Sequence, residues 1–150
     1  MFYRALGAIA LLCLLAGCVT SGSGDTTRVS VWKGIDVTET VPPLEIVAAS
    51  NRAQAQGRVR AHEVDWQQLE GVCQRAIETD EGILQGCTVR TGPPSNRQYD
   101  LYVHNDYPAW FRKLIALHES GHAGQAELGL PYSHAGYGSP TVDLIQRLGG

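Results

Sequence analysis

His118-Glu119-Ser120-Gly121-His122 constrains this chain more than any other stretch. On a helix, two histidines four residues apart project the same way, so both imidazoles can reach one ion. Counting 100° per residue, His122 sits about 40° from His118, and Phe111 and Ile115 fall within about 60° of it. Leu114 lies close by, whereas Arg112, Lys113 and Glu127 fall on the far side. The histidines therefore sit in an apolar face while the charges point to water. Asp106 and Pro108 supply start signals, and Gly129 followed by Pro131 supplies a stop. The spacing predicts a helix from about Pro108 to about Leu128. Gly121 and Gly124 each cost such a helix about 1 kcal/mol relative to alanine. Glycines kept in this way often mark the close approach of another segment.

A buried pair of core histidines is the plain alternative. The whole five-residue pattern, inside a helix with both rings inward, favours a metal ion. Zinc accepts imidazole nitrogen and is usually tetrahedral, and a catalytic site keeps one position open for water. A glutamate beside the first histidine can take a proton from that water.

The stretch resembles the active-site helix of the zincin metallopeptidases. That family asks for uncharged residues around the histidines, and Ala116, Ser120, Gly121 and Ala123 comply. A bulky apolar residue is usual two places after the second histidine; Gly124 stands there instead. The resemblance covers less than a third of the chain. It implies His118 and His122 as zinc ligands and Glu119 as general base. In zincins a strand near this helix often lines the cleft and pairs with extended substrate, a role the resemblance gives to residues 98–104.

A third ligand must come from elsewhere. After His122 the candidates are Glu127, His134 and Asp143. Glu127 lies about 160° around the helix from the histidine pair and cannot turn to the same ion. It is also the only glutamate after His122, which excludes the zincin branch completed by a downstream glutamate. Asp143 falls in the first turn of a final helix, where a carboxylate already has a reason to be. His134 is within reach if Gly129 ends the helix in a left-handed turn, because an extended chain covers about 3.3 Å per residue. In the metzincins a glycine likewise turns the chain before the third histidine, at a shorter spacing. His134 is therefore the expected ligand, with Asp143 as the alternative. Tyr137 or Tyr132, in the loop that carries His134, can donate a hydrogen bond to a developing oxyanion.

The N-terminus reads as a targeting segment. Arg4 is the only charge before Asp25, and Ala5–Ala16 is an apolar run too short to span a bilayer. It ends in Leu15-Ala16-Gly17-Cys18, which resembles the lipobox of bacterial lipoproteins. The resemblance implies a signal peptide over 1–17, lipid on Cys18 and an anchor in the membrane. Val19, where an aspartate would favour inner-membrane retention, points to the outer membrane facing the periplasm. Residues 18–30 are rich in Ser, Gly and Thr and read as a tether. The domain is then 31–150.

Cleavage removes Arg4, leaving 11 basic against 15 acidic residues, a net charge of −4. There is no basic patch, which argues against nucleic acid as a partner. Cys13 leaves with the signal and Cys18 takes lipid, so Cys73 and Cys87 remain in an oxidising compartment and pair as one disulfide.

Elsewhere the patterns are shorter. Partial alternation over 29–37 suggests a strand, and 44–48 another strand or the entry to a helix. Residues 51–60 are polar and carry little pattern. Trp66, Leu69, Val72, Cys73, Ala76 and Ile77 recur at helical spacing behind an Asp65/Gln68 capping box, predicting a helix to about Thr79. Cys87–Thr91 and Gln98–His104 read as strands, the second half-buried with His104 on its solvent side. Ser139 and Pro140 read as the start of a last helix ending near Gly149.

The expected fold is α+β, a small antiparallel sheet on two main helices, minimal and zincin-like. The expected function is a lipid-anchored zinc metallopeptidase acting on peptide or protein in the cell envelope. The competing expectation is a non-catalytic zinc-binding structural or peptide-binding lipoprotein. A fourth protein ligand would favour the latter.

Overall fold

The computed structural model describes residues 24–74, 78–79, 82–83 and 85–150. The expected signal peptide, Cys18 with the first part of its tether, and Ala76 and Ile77 lie outside them.

The chain opens with a hairpin of β1 (Val31–Trp32) and β2 (Ile35–Asp36). Alternation had room for one strand here, but Lys33 and Gly34 take φ of 49° and 79° and turn the chain back. Positive φ at both central residues is what a two-residue hairpin turn requires. Helix α1 (Leu44–Ala55), strand β3 (Val59–Val64) and helix α2 (Trp66–Cys73) follow. A ribbon of β4 (Glu78–Thr79) and β5 (Gly82–Ile83) leads to β6 (Gly86–Thr91) and β7 (Gln98–His104). The long helix α3 (Ala109–Glu127) and the short α4 (Val142–Leu148) complete an α+β fold.

The main sheet runs β3-β7-β6. β7 is antiparallel to β6 and parallel to β3, so the sheet is mixed rather than wholly antiparallel. The chain between β3 and β7 runs through α2 and β6, long enough to bring the two strands side by side in the same direction. Alternation along β7 buries Tyr99, Leu101 and Val103. Val103 packs with Phe111, Leu114 and Ile115 of α3, and Tyr99 and Leu101 with Ala123.

Helix α1 begins where the sequence allows a strand or the entry to a helix, and runs on through residues that carry little pattern. Its buried positions are Ile46, Ala49, Ser50, Ala53 and Gln54, mostly small. Small residues suit a close crossing, and a Cβ on Gly124 would run into the Ile46 carbonyl. The family departure at Gly124 is thus where α1 and α3 meet backbone to backbone.

Asp65 and Gln68 form the expected capping box. The helix stops at Cys73 rather than Thr79, because Gln74 turns left-handed at φ 52°. Cys73 bonds to Cys87 with Cα atoms 6.0 Å apart, tying α2 to β6. Closing a loop of this length stabilises by about 3 kcal/mol in the chain-entropy view. α2 also covers the end of the sheet where alternation puts His104 in solvent. His104 is only 1 % exposed, with the Trp66 ring stacked on it at 3.3 Å between centroids. The last helix is capped one residue beyond Pro140, by the Thr141 hydroxyl accepting from the Leu144 N–H at 3.2 Å.

Candidate metal centre and catalytic groups

His118 and His122 stand one turn apart on α3, the first half-buried and the second buried. At the end of that helix the Leu130 N–H returns to the Gln125 carbonyl at 2.9 Å and the Gly129 N–H to Ala126 at 3.2 Å. With Gly129 at φ 68°, this is the Schellman turn that sends the chain back. The following loop brings His134 to the pair. Ligand atoms of His118, His122 and His134 all lie within 4.8 Å of one another. The Nε2 atoms of His122 and His134 are 3.2 Å apart. Two nitrogens bound tetrahedrally to one zinc would be about 3.3 Å apart. The same separation suits an N–H···N hydrogen bond between the two neutral rings, so the pair is compatible with either arrangement. The group can hold a metal ion.

The electrostatics agree. Burial, then the neighbouring His122 and His134, push the pKa of His118 down to about 3, against a smaller opposing pull from the backbone at Glu39 and Thr40. Burial pushes that of His122 to about 4, with its bond to Gln125 opposing. Both rings are neutral near pH 7, the form that ligates metal. The Nδ1–H of His122 donates to Gln125 Oε1 at 2.8 Å, because the amide N–H of Gln125 is spent on the Ser133 carbonyl. That leaves the lone pair of His122 on Nε2, facing His134. Gln125 is thus a strut between α3 and the loop. Sequence reasoning missed it, although its position three residues after His122 was the available signal.

Glu119 is buried. The Thr88 hydroxyl has one proton to donate and lies 2.7 Å from the Glu119 backbone carbonyl and 2.9 Å from its Oε2, two acceptors that share it. Thr88, also missed from sequence, lies on β6. Tyr137 is buried beside His118, ring centroids 5.1 Å apart, and its hydroxyl lies over Gly121. That hydroxyl has no hydrogen-bond partner among the described residues. Burial, then the charge of Glu119, hold its pKa well above the ordinary phenol range, so it keeps its proton. Tyr132 is 65 % exposed and stacks on His122 at 3.9 Å. It covers the ligand rather than offering a buried donor. Glu127 faces away, paired with Arg58 at 2.7 Å, and Asp143 pairs with Arg147 at 3.0 Å. Neither joins the histidines, and no fourth His, Cys, Asp or Glu does so among the described residues.

An open groove of about 440 Å³ runs beside His122, lined by Thr88, Arg90, Gln125, Leu130 and Tyr132 among others. The strand at this groove is β6. Residues 98–104 cannot take an extended peptide on their edge, because β7 is hydrogen-bonded on both sides. β6 lies at the edge of the sheet. Comparison with protein-family profiles, with curated proteins and with solved structures finds no match.

Proposed function

We propose that this protein is a zinc metallopeptidase of zincin type, held to the membrane by lipid on Cys18 and cleaving peptide bonds in the cell envelope. The observation that carries the reading is the convergence of three histidines, with no fourth protein ligand among the described residues, next to Glu119 on the same helix and with His122 lining a groove. Three protein ligands are the mark of a catalytic zinc site. Zinc, when bound, supplies Lewis acidity that activates water and polarises a carbonyl at neutral pH.

The chain's own groups do the rest. His118 and His122, both neutral near pH 7, would hold the ion together with His134. Glu119 accepts the proton of the attacking water, its carboxylate fixed by Thr88. The Tyr137 hydroxyl is protonated, buried and without a partner among the described residues, and it would donate to the oxygen that becomes negative as the carbonyl is attacked. Glu119→Gln should keep zinc, read by metal analysis of the purified protein, and lose hydrolysis of casein or mixed peptides. Loss of zinc from that variant would make Glu119 a ligand and overturn the mechanism. For the anchor, Cys18→Ser should move the protein out of the membrane fraction.

One observation favours a second reading, a lipoprotein that binds peptide without cleaving it. Glu119 is only 4 % exposed and already holds Thr88. Under that reading Glu119→Gln changes nothing measurable, because the parent does not hydrolyse.

A further inference from the structure

The groove has a direction that its metal-side residues do not explain. Strand β6 alternates, and its register sets Thr88 opposite Leu101 and Arg90 opposite Tyr99. Leu101 and Tyr99 face α3, so Thr88 and Arg90 do too. Thr88 spends its hydroxyl on Glu119. Arg90 follows one inward step along the strand, about 7 Å further from Glu119.

Among the described residues, the other two arginines nearby have partners. Arg58 is bound by Glu127 through two 2.7 Å bonds, and Glu127 also accepts from the Tyr99 hydroxyl at 2.6 Å. Arg97 donates to the Ala126 carbonyl at 3.2 Å. Arg90 lines the groove, is exposed, and has no hydrogen bond or ion pair among the described residues. Among the described residues no carboxylate lines the groove with it. The opposite rim is Leu130, Pro131 and Tyr132, apolar and exposed.

A planar cation with its donors free, set in a groove beside a protein's reactive group, recognises a planar anion. We propose that Arg90 makes this groove a carboxylate subsite, so that the peptide substrate carries a carboxylate one to three residues from the bond at Glu119. This rests on the peptide reading of the site. The carboxylate is either an acidic side chain or the peptide's own C-terminus, and the guanidinium chemistry is the same for both.

The probe is a set of mixed-sequence short peptides in four versions: glutamate or glutamine at the variable acidic position, each with a free or amidated C-terminus. Cleavage by the zinc-loaded full chain is followed by mass spectrometry. Binding of the same peptides to Glu119→Gln is followed by fluorescence anisotropy. Carboxylate versions should be preferred about tenfold in both assays, as a partly exposed charge-assisted hydrogen bond gives. Arg90→Gln should erase the preference, and Arg90→Glu should transfer it to lysine-bearing peptides. Preference for glutamate irrespective of amidation assigns a side chain, and preference for the free acid assigns the C-terminus. Cleavage with no carboxylate preference, unchanged in Arg90→Gln, overturns the subsite and leaves the peptidase standing. Arg90-dependent binding without cleavage by the parent keeps the subsite and overturns hydrolysis. Neither binding nor cleavage overturns both.

Discussion

Helix α3 delivers two histidines and a carboxylate by its own geometry, whereas the loop after it delivers the third histidine and the tyrosine through a few hydrogen bonds. On the helix, the 3.6-residue period puts His118 and His122 together as soon as the helix forms, and core packing holds it. In the loop, His134 is placed by the turn at Gly129, the Gln125–Ser133 bond and the pairing of Gly138 with Val41. The helix side is paid for by folding itself. The loop side rests on fewer contacts and should loosen at lower cost than the helix.

The contrast is broken most sharply from the helix side. Gly124→Val puts two extra methyls and a Cβ where the Ile46 carbonyl stands. Overpacking against backbone should cost about 3 kcal/mol. Thermal unfolding of the metal-free protein reads it, and a melting point unchanged from the parent would mean that α1 does not lie on α3 at this point.

Acid acts on the same wall. His118 and His122 have folded pKa values of about 3 and about 4, below the ordinary 6.5. Between those limits the unfolded chain binds more protons than the folded one, so stability falls as pH falls. The contribution is complete above pH 6.5 and is lost progressively down to about pH 3. Denaturant titration of the metal-free protein should show this, with the slope reduced in His118→Gln. A midpoint flat from pH 7 to pH 4 would show the rings to be charged or solvated in the fold.

The loop side should respond in metal affinity and not in stability. His134→Ala should lose more than the roughly 10–100-fold that removing a ligand's outer hydrogen-bond partner costs. Gln125→Leu should fall within that range, since it frees the His122 ring and detaches Ser133. Asp143→Ala and Glu127→Ala should bind like the parent. Isothermal titration with zinc ranks the four. Parent-like affinity in His134→Ala with loss in Asp143→Ala would move the third ligand to the aspartate.

What could be read from the sequence follows the same division. Helix α3 was legible to within a residue at each end because its period, its proline and its glycine all agree. Helix α1 was not, because it is built to lie close on α3. Ala49, Ser50, Ala53 and Gln54 fill its buried face, so a hydrophobic pattern is missing where packing is tightest. β3 escaped because its VRAHEV run, at a sheet edge, buries only Val59 fully and shows no apolar alternation. His104 was put on the wrong side of the surface since alternation along one strand does not report that α2 covers its second face. Of the site, the convergence of the three histidines followed from spacing and reach. Thr88, Arg90 and Gln125 did not, because strand register and side-chain partners bring them in.

The smallest expected effect tests the hinge between the two walls. Gly129 holds φ 68°, and a Cβ there would meet nothing within 4 Å. Gly124 and Gly129 are thus glycines for opposite reasons, one for space and one for backbone conformation. Gly129→Ala should cost only the left-handed penalty of an L-residue, about 1 kcal/mol. The helix then has an incentive to continue past Leu128, which pulls Leu130 from the Gln125 carbonyl and lengthens the path to His134. A small drop in melting temperature should therefore come with a measurable drop in zinc affinity. Gly129→Asn, which tolerates the left-handed turn, should recover most of both. If alanine lowers the melting point but leaves zinc binding at the parent value, the loop does not depend on this turn. The reach of His134 would then be set by Gln125 and Gly138 alone.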